Sequence, residues 1–281
     1  MNVTVNDDED PAITCPANIN VFSDMGSCDA AVVVPPLVAA DNCGIASIVN
    51  DYNGTTDASD DYPIGTTTVI WTVTDIHGNV TNCSLTITVG DDEDPTIVCP
   101  ADQNVAFGPA CSFTLPSYAA LAVTADNCDA SLTITQSPVA GTIITGTTTI
   151  TLTATDDAGN ATSCTFQVIP TDQTVPSITC PANQTVALTA ACNYTLLSYT
   201  ALAVTADNCD ASVTVTQSPA AGTVITATTT ITLTATDDAG NSTTCTFQVI
   251  PTDQTAPSIT CPGSQNVVFT TSCNFTLPSY T

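Results

Sequence analysis

From Thr147 to Thr155 apolar and hydroxylated side chains alternate without a break, with Ile150, Leu152 and Ala154 on one side and Thr149, Thr151 and Thr153 on the other. Successive residues of a strand point to opposite faces, so this stripe predicts a strand with a buried apolar face and a wet Thr face. Val69, Trp71 and Val73 predict an equivalent strand earlier in the chain. Shorter alternating runs bounded by turn residues surround these two segments. In the middle of the chain the predicted strands are Thr96–Cys99, Asn104–Phe107, Ser112–Leu115, Ser131–Gln136, Thr147–Thr155 and Ser163–Val168. Between the last two of each set stand Ile76-His-Gly-Asn79, Asp157-Ala-Gly-Asn160 and Asp238-Ala-Gly-Asn241. Gly and Asn tolerate positive φ, so each tetrapeptide predicts a tight hairpin.

The strand pattern recurs with a fixed period, which is the signature of a repeat array. An I-T/V-C-P motif places Cys15, Cys99, Cys180 and Cys261 at intervals of 84, 81 and 81 residues. The segments YAALAVTADNCDAS and YTALAVTADNCDAS make repeats two and three near copies, and AADNCGIAS marks a diverged first repeat. The expected repeats are 7–90, 91–170 and 171–251. Residues 1–6 read as the closing strand of a preceding repeat, because NVTVN before DDEDP matches TITVG before the second DDEDP. Residues 252–281, with Cys261 and Cys273, read as a truncated fourth repeat.

Composition narrows the function classes. The 281 residues contain no Lys or Arg against 27 Asp plus Glu, a formal net charge of -27. Average usage would supply roughly thirty basic residues. Phosphate binding needs a basic footprint, so nucleic acid is excluded as a partner and anionic lipid is disfavoured. Disorder is excluded by the 43% hydrophobic content, rich in β-branched residues. Glu9 and Glu93 are the only glutamates, and strong helix formers besides Ala and Leu are scarce. The composition predicts an all-β protein. The 14 cysteines, regularly spaced and without CxxC pairs, predict disulfides and an extracellular, oxidising setting rather than zinc. No apolar stretch is long enough to insert in a membrane.

The ordered motifs I-x-C-P-A-x-x-x-V, D-N-C, G-T-T-T-[VI], T-D-x-x-G-N and C-[ST]-[FL]-x-[VI] run through essentially the whole chain. In them the chain resembles the HYR (hyalin repeat) family. About 80 residues with this many short strands already read as an immunoglobulin-like β-sandwich, and the resemblance implies the same fold, in an elongated tandem array. It also implies a role in adhesion or surface display, as in the stalks of very large bacterial cell-surface adhesins. The family name identifies no ligand.

Four cysteines per repeat allow three connectivities, and sequence alone does not choose among them. In an immunoglobulin-like sandwich the first and last strands run side by side, which favours Cys15–Cys83, Cys99–Cys164 and Cys180–Cys245. The cysteines left over are then expected to pair as Cys28–Cys43, Cys111–Cys128 and Cys192–Cys209.

Oxygen-rich acid clusters at junctions suit Ca²⁺, which takes six to eight oxygen ligands. The linkers Asp7-Asp8-Glu9-Asp10 and Asp91-Asp92-Glu93-Asp94 lie near the hairpin acids Asp75 and Asp156 in the expected fold. The expected calcium ligands are Asp8, Asp10, Asp75, Asp92, Asp94 and Asp156, with a solvated acidic linker as the competing reading. Repeat three supplies only Asp172 in its linker. The D-N-C aspartates Asp41, Asp126 and Asp207 could join, except that the inner disulfide would pull them toward the opposite end. No cofactor is required. Catalysis has no basis: one unit is repeated, no His recurs, and no Lys or Arg stands ready to stabilise an oxyanion. His77 reads as an exposed loop residue and Trp71 as core. The expected function is a non-catalytic stalk or spacer of a secreted bacterial surface adhesin or extracellular filament. Its expected partners are neighbouring repeats, head-to-tail copies, or a cell-surface or glycan target. A lectin-like binding domain is the alternative.

Overall fold

A computed structural model describes residues 1–268, 271–277 and 279. Part of the fourth repeat expected at 252–281 therefore lies outside the described residues. The chain forms two compact units, Met1–Asp172 and Gln173–Thr281.

In the first unit, repeat one contains β1 (Ala12–Thr14), β2 (Ile19–Phe22), β3 (Asp29–Val32), β4 (Val38–Ala40), β5 (Ile45–Asn50), β6 (Asp60–Pro63), β7 (Gly65–Asp75) and β8 (Val80–Gly90). A four-stranded sheet runs β2-β8-β7-β5, while β3 pairs with β6 and β1 with β4. The β2–β8 pair is parallel and every other pair is antiparallel. Alternation along β7 places Val69, Trp71 and Val73 inside, each 1% exposed or less. Trp71 packs with Tyr62, Leu85, Ile87, Ala30 and Val32, joining the large sheet to the β3–β6 pair. Its indole N–H donates to the Thr56 carbonyl at 3.2 Å, so the ring is buried with its one donor satisfied.

Repeat two repeats the plan. Gln103–Ala106, Ala161–Thr171, Thr148–Thr155 and Thr133–Ser137 form the four-stranded sheet in that order, again with a parallel first pair. Ile150, Leu152 and Ala154 are fully buried. Tyr118 meets Phe166 edge to face at 5.1 Å. The alternation does not reveal Val123–Ala125, which pairs with Thr96–Val98, or the 3₁₀ turn Ala119–Leu121. Three residues are too few to show a period.

The second unit holds repeat three, whose sheet of Gln184–Ala187, Ser242–Thr252, Thr229–Thr236 and Thr214–Ser218 buries Ile231, Leu233 and Ala235. Among the described residues no strand follows Thr252, and residues 1–6 form none. Residues 1–6, expected to close a preceding repeat, are exposed. Among the described residues no helix is long and apolar enough to cross a membrane.

Each repeat has two poles, set by the ends of its longest strands. Strand β8 has 11 residues and spans about 35 Å at ~3.3 Å per residue. At its start lie the 75–80 hairpin, the entering linker and the beginning of β5, since Ile45 is paired with Asp75. At its end lie Gly90, Gly65 and the turn at Gly26 and Cys28. Ser23 N donates to the Gly90 carbonyl at 2.9 Å and Ile64 N to the Cys28 carbonyl at 3.1 Å.

Candidate metal centre at the repeat pole

The hairpin after β7 is stapled by Asp75. Its Oδ1 accepts from the backbone N–H groups of His77, Gly78 and Asn79 at 2.6–2.9 Å, and its Oδ2 from Asn79 Nδ2 at 2.7 Å. Gly78 takes φ +95°, the left-handed region that a side chain would strain. Asp156 is held the same way by Gly159 and Asn160. Burial pushes both carboxyl groups up, but the hydrogen bonds outweigh it and hold each below its ordinary value of 3.8. A carboxyl group depressed in the folded state contributes stability that is complete above the unfolded pKa and lost as pH falls through the folded one. Thermal midpoints should therefore fall below about pH 4 more steeply in the native protein than in Asp75→Asn plus Asp156→Asn. Parallel curves for the two proteins between pH 5 and pH 2 would contradict this role.

Around the hairpin the structure gathers Asp7, Asp41 and Asp75, one carboxylate oxygen from each within 4.8 Å of the others. Asp41 Oδ1 caps its own turn by accepting from Cys43 N and Gly44 N, both at 2.8 Å. Its Oδ2 is buried and has no hydrogen-bond partner. The Asp7 side chain is 6% exposed and its Oδ2 also lacks a hydrogen bond, although His77 Nδ1 stands 3.3 Å away. The Asn79 amide ties the linker to the hairpin by donating to the Asp7 carbonyl at 3.3 Å. Repeat two reproduces the arrangement: Asp126 Oδ1 accepts from Cys128 N and Asp129 N, while its Oδ2 is buried and unpartnered. Asp126 and Asp91 lie within 4.8 Å of each other together with Cys128, and Asn160 Nδ2 donates to the Asp91 carbonyl. In repeat three Asp207 Oδ1 makes the same turn with Cys209 N and Asp210 N, and Oδ2 is again buried without a hydrogen bond.

Two sets of expected site residues need correction. Asp8, Asp10, Asp92 and Asp94 are exposed and join neither cluster, so of the six expected ligands only Asp75 lies in a carboxylate cluster and Asp156 beside one. The linker is extended, so alternate side chains face the pole: Asp7 and Asp91 turn in, while their neighbours face water. The glutamates of the same runs serve as clamps, Glu9 accepting from Asn42 Nδ2 and Glu93 from Gly26 N. The D-N-C motif was the available signal for Asp41 and Asp126.

The second correction concerns the inner cysteines. The structure closes Cys15–Cys83, Cys99–Cys164 and Cys180–Cys245, each with Cα atoms 5.7–5.8 Å apart. Cys28, Cys43, Cys128 and Cys192 are free thiols, so Cys28–Cys43, Cys111–Cys128 and Cys192–Cys209 do not form. Cys111 and Cys209 are disulfide-bonded, but to neither of those partners. The reason is length. Cys28 sits at the end of β8 and Cys43 at its start, separated by about 35 Å of strand, whereas a disulfide needs Cα atoms within about 7 Å. With no inner bridge to pull it away, the D-N-C aspartate stays at the hairpin pole.

The HYR domain family matches residues 6–89, 90–169 and 171–250. The chain belongs to the HYR domain family. Hyalin of Strongylocentrotus purpuratus is 31% identical over 222 residues, covering 73% of this chain and 18% of hyalin. The Mus musculus Sushi, von Willebrand factor type A, EGF and pentraxin domain-containing protein 1 is 32% identical over 168 residues, covering 58% of this chain and 4% of that protein. The chain thus spans less than a fifth of the length of these relatives. Among solved structures, human CDH23 EC21-23 aligns with a TM-score of 0.40 at 16% identity, over 86% of this chain and 100% of that one. The titin I-band fragment I67-I69 gives 0.39 at 8% identity, over 86% and 98%. HYR domains are non-enzymatic, adhesion-type modules, and this HYR array is not an enzyme. His77 stands where the HYR repeats that follow carry Ala158 and Ala239, so the histidine does not recur with the hairpin acids.

Proposed function

We propose that this HYR array is an extracellular spacer within an adhesion protein, and that Ca²⁺ fastens the linker to the hairpin pole of its repeats. The disulfides within the repeats suit an oxidising, extracellular setting. The repetition of one pole favours a mechanical role over a singular ligand pocket. A net charge of -27 keeps neighbouring arrays soluble and apart.

The observation that carries the calcium reading is the buried, unpartnered Oδ2 of the D-N-C aspartate beside a linker aspartate. A buried carboxylate oxygen without a partner is costly, and a bound cation is one of the few things that removes the cost. In repeat one the ligands would be Asp7, Asp41 and Asp75, all oxygen donors of the kind a hard cation takes. Mutual repulsion of such carboxylates is about 1 kcal/mol per pair even in bulk water, and a divalent ion reverses its sign.

Calcium chloride titrated calorimetrically into the protein at fixed high ionic strength should bind, and should raise the thermal midpoint. At a hundredfold excess over Kd the added stability is about 2.7 kcal/mol per site. Asp7→Asn plus Asp41→Asn should lose the repeat-one site, whereas Asp8→Asn plus Asp10→Asn should keep it. Absence of binding, or equal loss in both variants, would reduce the acids to a solvated surface.

A further inference from the structure

The pole of repeat one that carries Cys28 meets the hairpin pole of repeat two inside the first unit. The Cys28 thiol donates to the Asn127 carbonyl at 2.7 Å, and the Cys128 thiol approaches the Ser27 carbonyl at 3.6 Å. Each thiol thus points at the residue preceding the other cysteine. The backbone on both sides is pinned across the same junction. Asn127 Nδ2 donates to the Ser27 carbonyl at 3.0 Å, and Gly26 N donates to both carboxylate oxygens of Glu93 at 3.0 and 2.8 Å. Cys28 and Cys128 line one open cleft with Ile64, Val89, Asp91 and Asp157.

We propose that Cys28 and Cys128 form a disulfide that clasps repeat one to repeat two. Thiols that each reach the backbone beside the other cysteine, in one shared cleft, need side-chain rotation to approach the ~2.05 Å of an S–S bond. Cys28 has no other cysteine at its pole, because Cys43 lies the length of β8 away. Oxidation proceeds by exchange with a low-molecular-weight disulfide such as oxidised glutathione. One protein thiolate attacks the small disulfide, giving a mixed disulfide and one small thiol. The second protein thiolate then displaces the other small thiol. One S–S bond forms in the protein, the S–S bond of the donor is lost, and the two protons end on the two released thiols. The protein pair is oxidised and the donor reduced. At the hairpin pole of repeat two this leaves Asp91 and Asp126 as carboxylates, with Cys128 withdrawn from them into the bridge.

The test is non-reducing peptide mapping of the full chain, equilibrated in a glutathione redox buffer, alkylated, and cut beside Asp and aromatic residues. Trypsin is useless for the digest, because the chain has no Lys or Arg. The expected result is a peptide pair joining Cys28 to Cys128 that separates on reduction. Cys28→Ser should leave Cys128 open to alkylation in otherwise oxidised protein, and Cys43→Ser should leave the Cys28–Cys128 pair intact. Recovery of Cys28 joined to Cys43 overturns the proposal. So does full alkylation of Cys28 and Cys128 under conditions that keep Cys99 joined to Cys164. Because the mapping is read on the native protein, a Cys28→Ser chain that fails to fold still leaves a decisive result.

Discussion

Replacing Trp71 with alanine should destabilise repeat one by about 3–5 kcal/mol, the range for deleting a large buried aromatic. Trp71 is 1% exposed and touches both layers of the sandwich, so its loss opens a void that the flanking strands cannot close without breaking register. It also leaves the Thr56 carbonyl without the donor it now has at 3.2 Å. A domain of this size holds about 5–15 kcal/mol in all, so a single substitution removes a large share. Scanning calorimetry should show a repeat-one transition lowered by well over 10 °C, at roughly 4–8 °C per kcal/mol. The transition of repeat three should stay in place, because its core of Leu233, Ile231 and Phe247 contains no residue of repeat one. As Trp71 is the sole tryptophan, its fluorescence reports repeat-one unfolding in the native chain. A midpoint change of a degree or two would show that the indole does not hold the layers together.

Removing the outer bridge of repeat two, as Cys99→Ala plus Cys164→Ala, should cost about 4 kcal/mol on the chain-entropy estimate. The bridge closes 65 residues and ties the end of the first strand to the last strand. Both cysteines also pack against the Leu152 and Phe166 core, so the variant loses contacts as well as the covalent link. Denaturant titration should give a repeat-two midpoint far below that of the oxidised protein. Reductant should lower the native midpoint by at least as much, because it also opens the bond that holds Cys111. Equal midpoints for the oxidised protein and the double variant would mean the bridge adds nothing to a sheet already held by its ladder.

How much of the molecule is legible in its sequence depends on the range of the physics involved. Alternation is local: Ile150, Leu152 and Ala154 had to share one face once the segment became a strand, and their burial follows. The turn residues are local too, and Asp75 with Gly78 and Asn79 folds its hairpin through contacts within four residues. The period, the all-β composition and the absence of basic residues are likewise properties of the chain alone. They suffice for the sandwich repeats and for excluding nucleic acid. The site was legible only in its chemistry, because acids near junctions are visible in sequence but their facing is not. Whether Asp7 or Asp8 turns inward depends on the phase of an extended linker against a hairpin some seventy residues away. The cysteine pairing shows the same limit more sharply. Even spacing suggests Cys28 with Cys43, yet the long strands of the sheet carry these two to opposite poles, and Cys28 meets Cys128 of the next repeat instead. Side-chain periodicity determined what each strand buries; only the packing of one repeat's end on the next repeat's beginning decided which acids and thiols share a pole.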